Sequence, residues 1–110
     1  MHTKAKGNLA EEKGCDYLRQ NGFRIIDRNV YNRFGEIDII ALRDNVFHFV
    51  EVKSAQSYEQ AVNNLSSSKL QKLTRTIQFY LQKKKLNSDY CIDALIVTDE
   101  GIEWIENITL

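Results

Sequence analysis

A chain of 110 residues, 43% of them hydrophobic, has the length of one domain and enough apolar content to fold, which excludes a disordered polypeptide. Its 15 basic and 15 acidic residues cancel to a net charge of zero, which excludes the strongly basic balance of many dedicated nucleic-acid binders. No apolar run approaches the ~18 residues that cross a bilayer, the opening MHTKAKGNLAEEKG has no apolar stretch of a secretory signal, and Cys15 and Cys91 lack zinc-ligand spacing, so the expectation is a cytoplasmic protein with free, packed thiols and no membrane partner.

In chain order, residues 8–20 read as a first helix, because Ala10, Gly14, Tyr17 and Leu18 fall on one face. Asn21-Gly22 ends it, with Gly22 suited to a left-handed C-terminal cap. FRIIDRNVY (23–31), GEIDIIAL (35–42) and NVFHFVEVK (45–53) are β-branched and aromatic, and read as strands. A polar stretch over 54–68 leaves room for a short helical turn. KLQKLTRTIQFYLQKKK reads as a long helix with Leu70, Leu73, Ile77 and Leu81 on one stripe. YCIDALIVT (90–98) is a buried strand and GIEWIENI (101–108) a closing one. The order α-β-β-β-α-β-β is that of a single α/β domain over 1–110, a central mixed sheet flanked by helices.

The second and third strands carry charges where core is expected. A two-residue loop at Asp44-Asn45 suits a type I′ turn, since both residues tolerate positive φ. Leu42 then faces Phe47, Ile40 faces Phe49, Asp38 faces Glu51 and Glu36 faces Lys53. Strict alternation would put all four charged side chains on one face, opposite Ile37, Ile39, Val50 and Val52. Opposed carboxylates destabilise a ladder and raise one another's pKa, whereas a hard divalent cation relieves them. Lys53, on the same face, is suited to stabilising charge on a phosphate or orienting a water. An acid-x-Lys strand can also be a plain solvated face, but Phe47, Phe49 and Ile40 share this one.

Glu11 falls inside the apolar stripe of the first helix, about 20° from Leu18 on a 100° wheel. Two readings fit it: an ion pair or hydrogen bond holding helix to sheet, with Lys53 one partner, or a further carboxylate at a metal site. Lys69 sits at the edge of the second helix's stripe, with Lys72 and Arg75 following. These are either an exposed basic face or phosphate contacts. His48 lies on the face opposite Glu51 and is not expected to be a ligand.

Gly7-x3-Glu11, Asn29-x5-GEIDII, FVEVK at 49–53, Lys69 in SSKLQKL and the IDALIV strand from Ile92 together resemble the YraN-like family of small bacterial proteins. That family is grouped with the Holliday-junction-resolvase-like branch of the PD-(D/E)xK, restriction-endonuclease-like nucleases. The resemblance implies a restriction-endonuclease-like fold. It implies Asp38 and Glu51 as ligands of Mg²⁺ or Mn²⁺, Lys53 as catalytic lysine and Glu11 as the helix carboxylate. It further implies DNA, possibly branched, as substrate for hydrolysis of phosphodiester bonds, with Lys69, Lys72 and Arg75 toward the nucleic acid and a homodimer as in junction resolvases. A non-catalytic nucleic-acid-binding or adaptor module is the alternative. The chain departs from the family pattern at three commonly basic positions, now Tyr31, Ala55 and Cys91-Ile92.

Overall fold

The first helix, α1, spans His2–Gln20 and starts earlier than its apolar stripe suggests. It closes at Gly22, where φ is +86° and the amides of Gly22 and Phe23 return to the carbonyls of Arg19 and Leu18. That is the left-handed cap expected of a glycine without Cβ strain. The computed structural model describes residues 2–108, with side chains from residue 9 onward.

Five strands follow in one sheet: β1 (Arg24–Asn32), β2 (Gly35–Arg43), β3 (Val46–Ser54), β4 (Tyr90–Thr98) and β5 (Gly101–Ile105). They lie in sequence order, and only β3 and β4 run parallel. The β3–β4 crossover carries α2 (Tyr58–Asn63) and α3 (Ser67–Lys83). Each is opened by a serine whose Oγ accepts an amide: Ser57 from Gln60 and Ser66 from Lys69. The mixed sheet flanked by helices agrees with the sequence, and α2 fills the short turn left open at 54–68.

Two helix-facing cores sandwich the sheet. On one face Leu73, Ile77, Tyr80 and Leu81 of α3 pack on Ile37, Ile40, Phe49 and Ile92. On the other Cys15 and Leu18 of α1 pack with Phe23, Ile39, Ala41, Val50 and Leu95. Fully burying each such aliphatic side chain contributes ~1.5–3 kcal/mol, which offsets the entropy of ordering the chain. A Cβ built on Gly14 would lie 3.1 Å from Leu95 Cδ1, so glycine lets α1 sit this close to the sheet without Leu95 giving way. Glu11, one turn earlier, is thereby held against the strands.

The β2–β3 hairpin has the turn and register expected. Asp44 and Asn45 have φ of +53° and +64°, and Leu42 pairs with Phe47 and Ile40 with Phe49. The ladder stops at Ile39–Val50, however, and the expected pairs Asp38–Glu51 and Glu36–Lys53 do not form. Beyond Val50, β3 pairs on its far side with β4 through Glu51–Ala94, Val52–Leu95 and Lys53–Ile96. On its near side the Val52 amide is taken instead by the Asp38 carboxylate, at 2.8 Å.

Alternation fails at the same place. Ile37 belongs to the α3-side core and Ile39 to the α1-side core, although two residues apart they should share a face. On β1 the pairs Arg28–Ile39 and Val30–Ile37 flank Asn29, whose φ is +52°. One left-handed residue in β1 thus accompanies a reversal of inside and outside in both strands. The expectation that Glu36, Asp38, Glu51 and Lys53 share one face by unbroken alternation is corrected in part: Glu36, Glu51 and Lys53 line one cavity on the α3 side, while Asp38 leaves the ladder, accepts from the Val52 amide and lies with Glu11 and Glu36.

Candidate functional site

The reversal gathers carboxylates from two elements. Glu11 of α1 and Glu36 and Asp38 of β2 can each bring one carboxylate oxygen within 4.8 Å of the others. Glu11 is 13% exposed, as its place in the helix stripe required. Its partner is Arg28 of β1, Nη2 lying 3.9 Å from Oε1, and not Lys53. At that distance no hydrogen bond forms: Glu11 Oε1 and Arg28 Nε are buried without a hydrogen-bond partner. Burial is the main cause that pushes the Glu11 carboxyl up, with Glu36 and Glu51 adding to it and Asn29 and Arg28 opposing.

Asp38 is the most perturbed group of the set. Its pKa is pushed from the usual 3.8 up to about 8, first by burial and then by the charge of Glu51. The hydrogen bond from Val52 opposes the rise, and Glu11 and Glu36 add to it. Without a cation, burial and the neighbouring carboxylates thus favour the protonated form of Asp38. An unpartnered buried oxygen, three convergent hard donors and a strongly raised carboxyl are the donor chemistry that suits Mg²⁺ or Mn²⁺.

Glu51 stands outside the tight trio but close enough for its charge to act on Asp38. Its Oε1 is 3.3 Å from Lys53 Nζ, both side chains about a quarter exposed. The two line a cavity of about 210 Å³ between β2, β3 and α3. Glu36, Lys69 and Lys72 share its wall, over a floor that includes Leu65 and Leu73. Of the three basic residues singled out on α3, Lys69 and Lys72 reach this cavity, whereas Arg75 lines a separate one with Tyr90 and Ile92.

The turn between β1 and β2 fixes the rim. Asn32 Nδ2 donates to the Thr76 carbonyl of α3 at 3.1 Å, and Asn32 Oδ1 accepts from Phe34 N at 2.9 Å. Gly35 has φ of +152°, and a Cβ there would meet Thr76 Oγ1 at 3.1 Å. The glycine before Glu36 is thus dictated by backbone and by space. Phe34 lines the cavity, and the Arg33 guanidinium lies 5.0 Å from its ring centroid.

Sequence reasoning missed Arg28 and Phe34, and took Asn29 only as the first residue of a motif, not as the turning point of the strand. Arg28 and Asn29 lie in a strand that reads as ordinary, and only the left-handed φ of Asn29 reveals the switch of faces. Asn, which tolerates that conformation better than most residues, was the available signal. Reasoning also missed a second polar centre on the α1 side. Asp93, fully buried, accepts hydrogen bonds from His48 Nδ1 (2.6 Å), Trp104 Nε1 (3.1 Å) and Asn107 N (2.9 Å). Cys91 lies beside it, and the three could meet a metal, but the Asp93 oxygens already have their donors. This network ties β3, β4 and β5 together, and His48 faces away from Glu51 as expected. Cys15 and Cys91 are both free thiols. Among the described residues no helix is long and apolar enough to cross a membrane.

Comparison with known proteins places this geometry in company. A family model described as uncharacterised protein family UPF0102 matches residues 10–97. A UPF0102 protein of Sulfurimonas denitrificans is 56% identical over 108 residues, covering 98% of this chain and 99% of the relative. Those of Aliarcobacter butzleri and Helicobacter hepaticus are 50% and 52% identical over 109 and 110 residues, covering 98% and 100% of this chain and 99% of each relative. The matched segment takes in Glu11, Asp38, Glu51, Lys53 and the reversal at Asn29.

Proposed function

The chain belongs to the uncharacterised protein family UPF0102, and from that premise we propose that it is a divalent-metal-dependent endonuclease of restriction-endonuclease-like type, hydrolysing phosphodiester bonds in DNA. One observation carries the reading: Glu11, Glu36 and Asp38 converge within 4.8 Å beside a cavity walled by Glu51 and Lys53. Neutralising such a set by protonation or by a cation is the choice its electrostatics offer, and a phosphate oxygen completes a Mg²⁺ shell well.

Asp38, Glu11 and Glu36 would hold the ion, and Glu51, whose charge acts on Asp38, would be a further ligand. Bound there, Mg²⁺ or Mn²⁺ supplies Lewis-acid polarisation of a phosphate oxygen and lowers the pKa of a bound water. Glu51 and Lys53 meet the attacking water and the phosphate from the α3 side. The Lys53 ammonium donates to the charge that grows on the phosphate oxygens. Lys69 and Lys72 anchor neighbouring phosphates, which fixes the strand without reading its sequence. Arg28 lies beside Glu11 and favours its charged form, which tempers the repulsion that the Glu11 carboxylate meets.

The test is a cleavage screen over linear, nicked and branched DNA with Mg²⁺, Mn²⁺ or chelator, repeated with Asp38→Asn and Lys53→Met. Metal-dependent cleavage that both substitutions abolish is the expected result. Cleavage unaffected by Asp38→Asn refutes the assignment. The alternative reading is a nucleic-acid-binding or adaptor module without catalysis that keeps the acidic cluster. DNA binding with no cleavage under any metal would select it.

A further inference from the structure

We infer that the cavity beside the acidic cluster receives an unpaired nucleobase next to the scissile phosphate, so that the substrate is DNA with a single-stranded nucleotide at the cut, not continuous duplex. The inference rests on the nuclease reading for its phosphate and deepens it by naming the substrate class.

The cavity has the size for this occupant. At about 210 Å³ it matches the liquid volume of roughly seven waters, well under the pockets of drug-sized ligands. It accepts one ring system and excludes a stacked base pair. Its chemistry is divided in the same way as a nucleotide. Leu65, Leu70, Leu73 and the Phe34 ring give it apolar surface, while Lys69 and Lys72 stand exposed at its rim. A free phosphate would have no use for the apolar floor. A purely apolar ligand would have none for the lysines. A base linked to a phosphate uses both.

Two exposed aromatic residues, Phe34 and Tyr31, lie beside the carboxylates. Phe34 is 37% exposed and lines the cavity, its ring packed edge-on against Phe79 at 5.7 Å with the Arg33 guanidinium over it, so a base stacks on the part of the ring left open. Tyr31, paired across the ladder with Glu36, is 71% exposed. Exposed rings of this kind, beside lysines, are the stacking platforms of single-strand binders. In a duplex the bases are stacked inside and their faces are unavailable, so only a nucleotide that is already unpaired or is extruded can use them.

The experiment has a binding arm and a cleavage arm. For binding, the full chain carrying Asp38→Asn is titrated with a gapped duplex bearing one 2-aminopurine in the gap. The base fluorescence is expected to change on binding. Phe34→Ala, a change on a surface turn, should weaken affinity about tenfold, with Phe34→Tyr close to the parent and melting temperatures showing each variant folded. Equal affinity for the same duplex with an abasic gap position, or for Phe34→Ala, overturns the inference. For cleavage, wild type with Mn²⁺ meets gapped and continuous duplexes. Preference for the gapped substrate supports the inference, and equal cleavage of both overturns it while leaving the nuclease reading intact. Fluorescence change without cleavage of either keeps the base pocket and removes the nuclease reading.

Discussion

Replacing Asp38 by Asn should stabilise the metal-free protein, and the gain should grow with pH. The isosteric amide keeps an oxygen for the Val52 amide, now bonded at 2.8 Å, and removes the charge that faces Glu51, Glu11 and Glu36. The folded carboxyl titrates near 8 against 3.8 when free. A carboxyl raised in this way contributes stability that is complete below pH 3.8 and is lost as pH rises through about 8, because the unfolded chain releases the proton first. The shift is about four units, and at ~1.4 kcal/mol per unit its ceiling is about 6 kcal/mol. Buried charges in proteins are screened well beyond the low-dielectric limit, so the expected difference at pH 8 is a few kcal/mol, on the order of half that ceiling or less. Urea melts of wild type and Asp38→Asn in chelator, from pH 4 to pH 8, measure it. The difference should be smallest at pH 4. Parallel pH profiles, or an Asn variant less stable than wild type at pH 8, would refute the reasoning and identify Asp38 as a plain structural partner.

Excess Mn²⁺ should raise the melting temperature of wild type by several degrees, since a ligand at a hundred times its Kd stabilises the folded state by ~2.7 kcal/mol. Asp38→Asn and Glu11→Gln should lose that rise, and calorimetry should show the matching loss of affinity. Lys69→Ala and Lys72→Ala should each flatten the log–log salt dependence of DNA binding by about one unit, measured by fluorescence anisotropy. Arg75→Ala, on a separate cavity, should leave the slope nearer to wild type; a larger effect than Lys72→Ala would move the DNA path toward Tyr90. Asp93→Leu should cost about 3–5 kcal/mol in urea melts because it removes the fully buried acceptor shared by buried His48, half-buried Trp104 and the Asn107 amide, whereas a loss under about 1 kcal/mol would mean that water replaces it.

Local rules made much of this molecule legible in its sequence. Period-two and period-3.6 patterns gave the order of elements, and Asp44-Asn45 gave the register of the central hairpin. Glu11 was found because a charge inside an apolar stripe has to be accounted for. What local rules could not give is the end of the ladder. Strict alternation carries Asp38 to a place opposite Glu51, but β3 past Val50 is held by β4, a strand roughly forty residues further along the sequence. Alternation also assumes extended backbone throughout, and Asn29 breaks that assumption from the neighbouring strand. The sequence therefore identified members of the site and misjudged their faces. Glu36 illustrates the consequence: it does not pair with Lys53 across the ladder, yet it lines the same cavity as Lys53 and also lies with Glu11 and Asp38.

The hydrogen bond from Val52 to Asp38 has a meaning for how such chains diverge. The sheet asks only for an acceptor at this position, and an amide oxygen meets that demand without repelling its neighbours. Selection for stability alone would therefore exchange the acid for Asn by a single conservative step. A lineage that has abandoned metal chemistry has every reason to take that step and little reason to return. Asp against Asn at this one position, with Glu11 and Glu36 as witnesses, thus becomes a historical marker that distinguishes chains still under selection for the site from those that have kept only its scaffold.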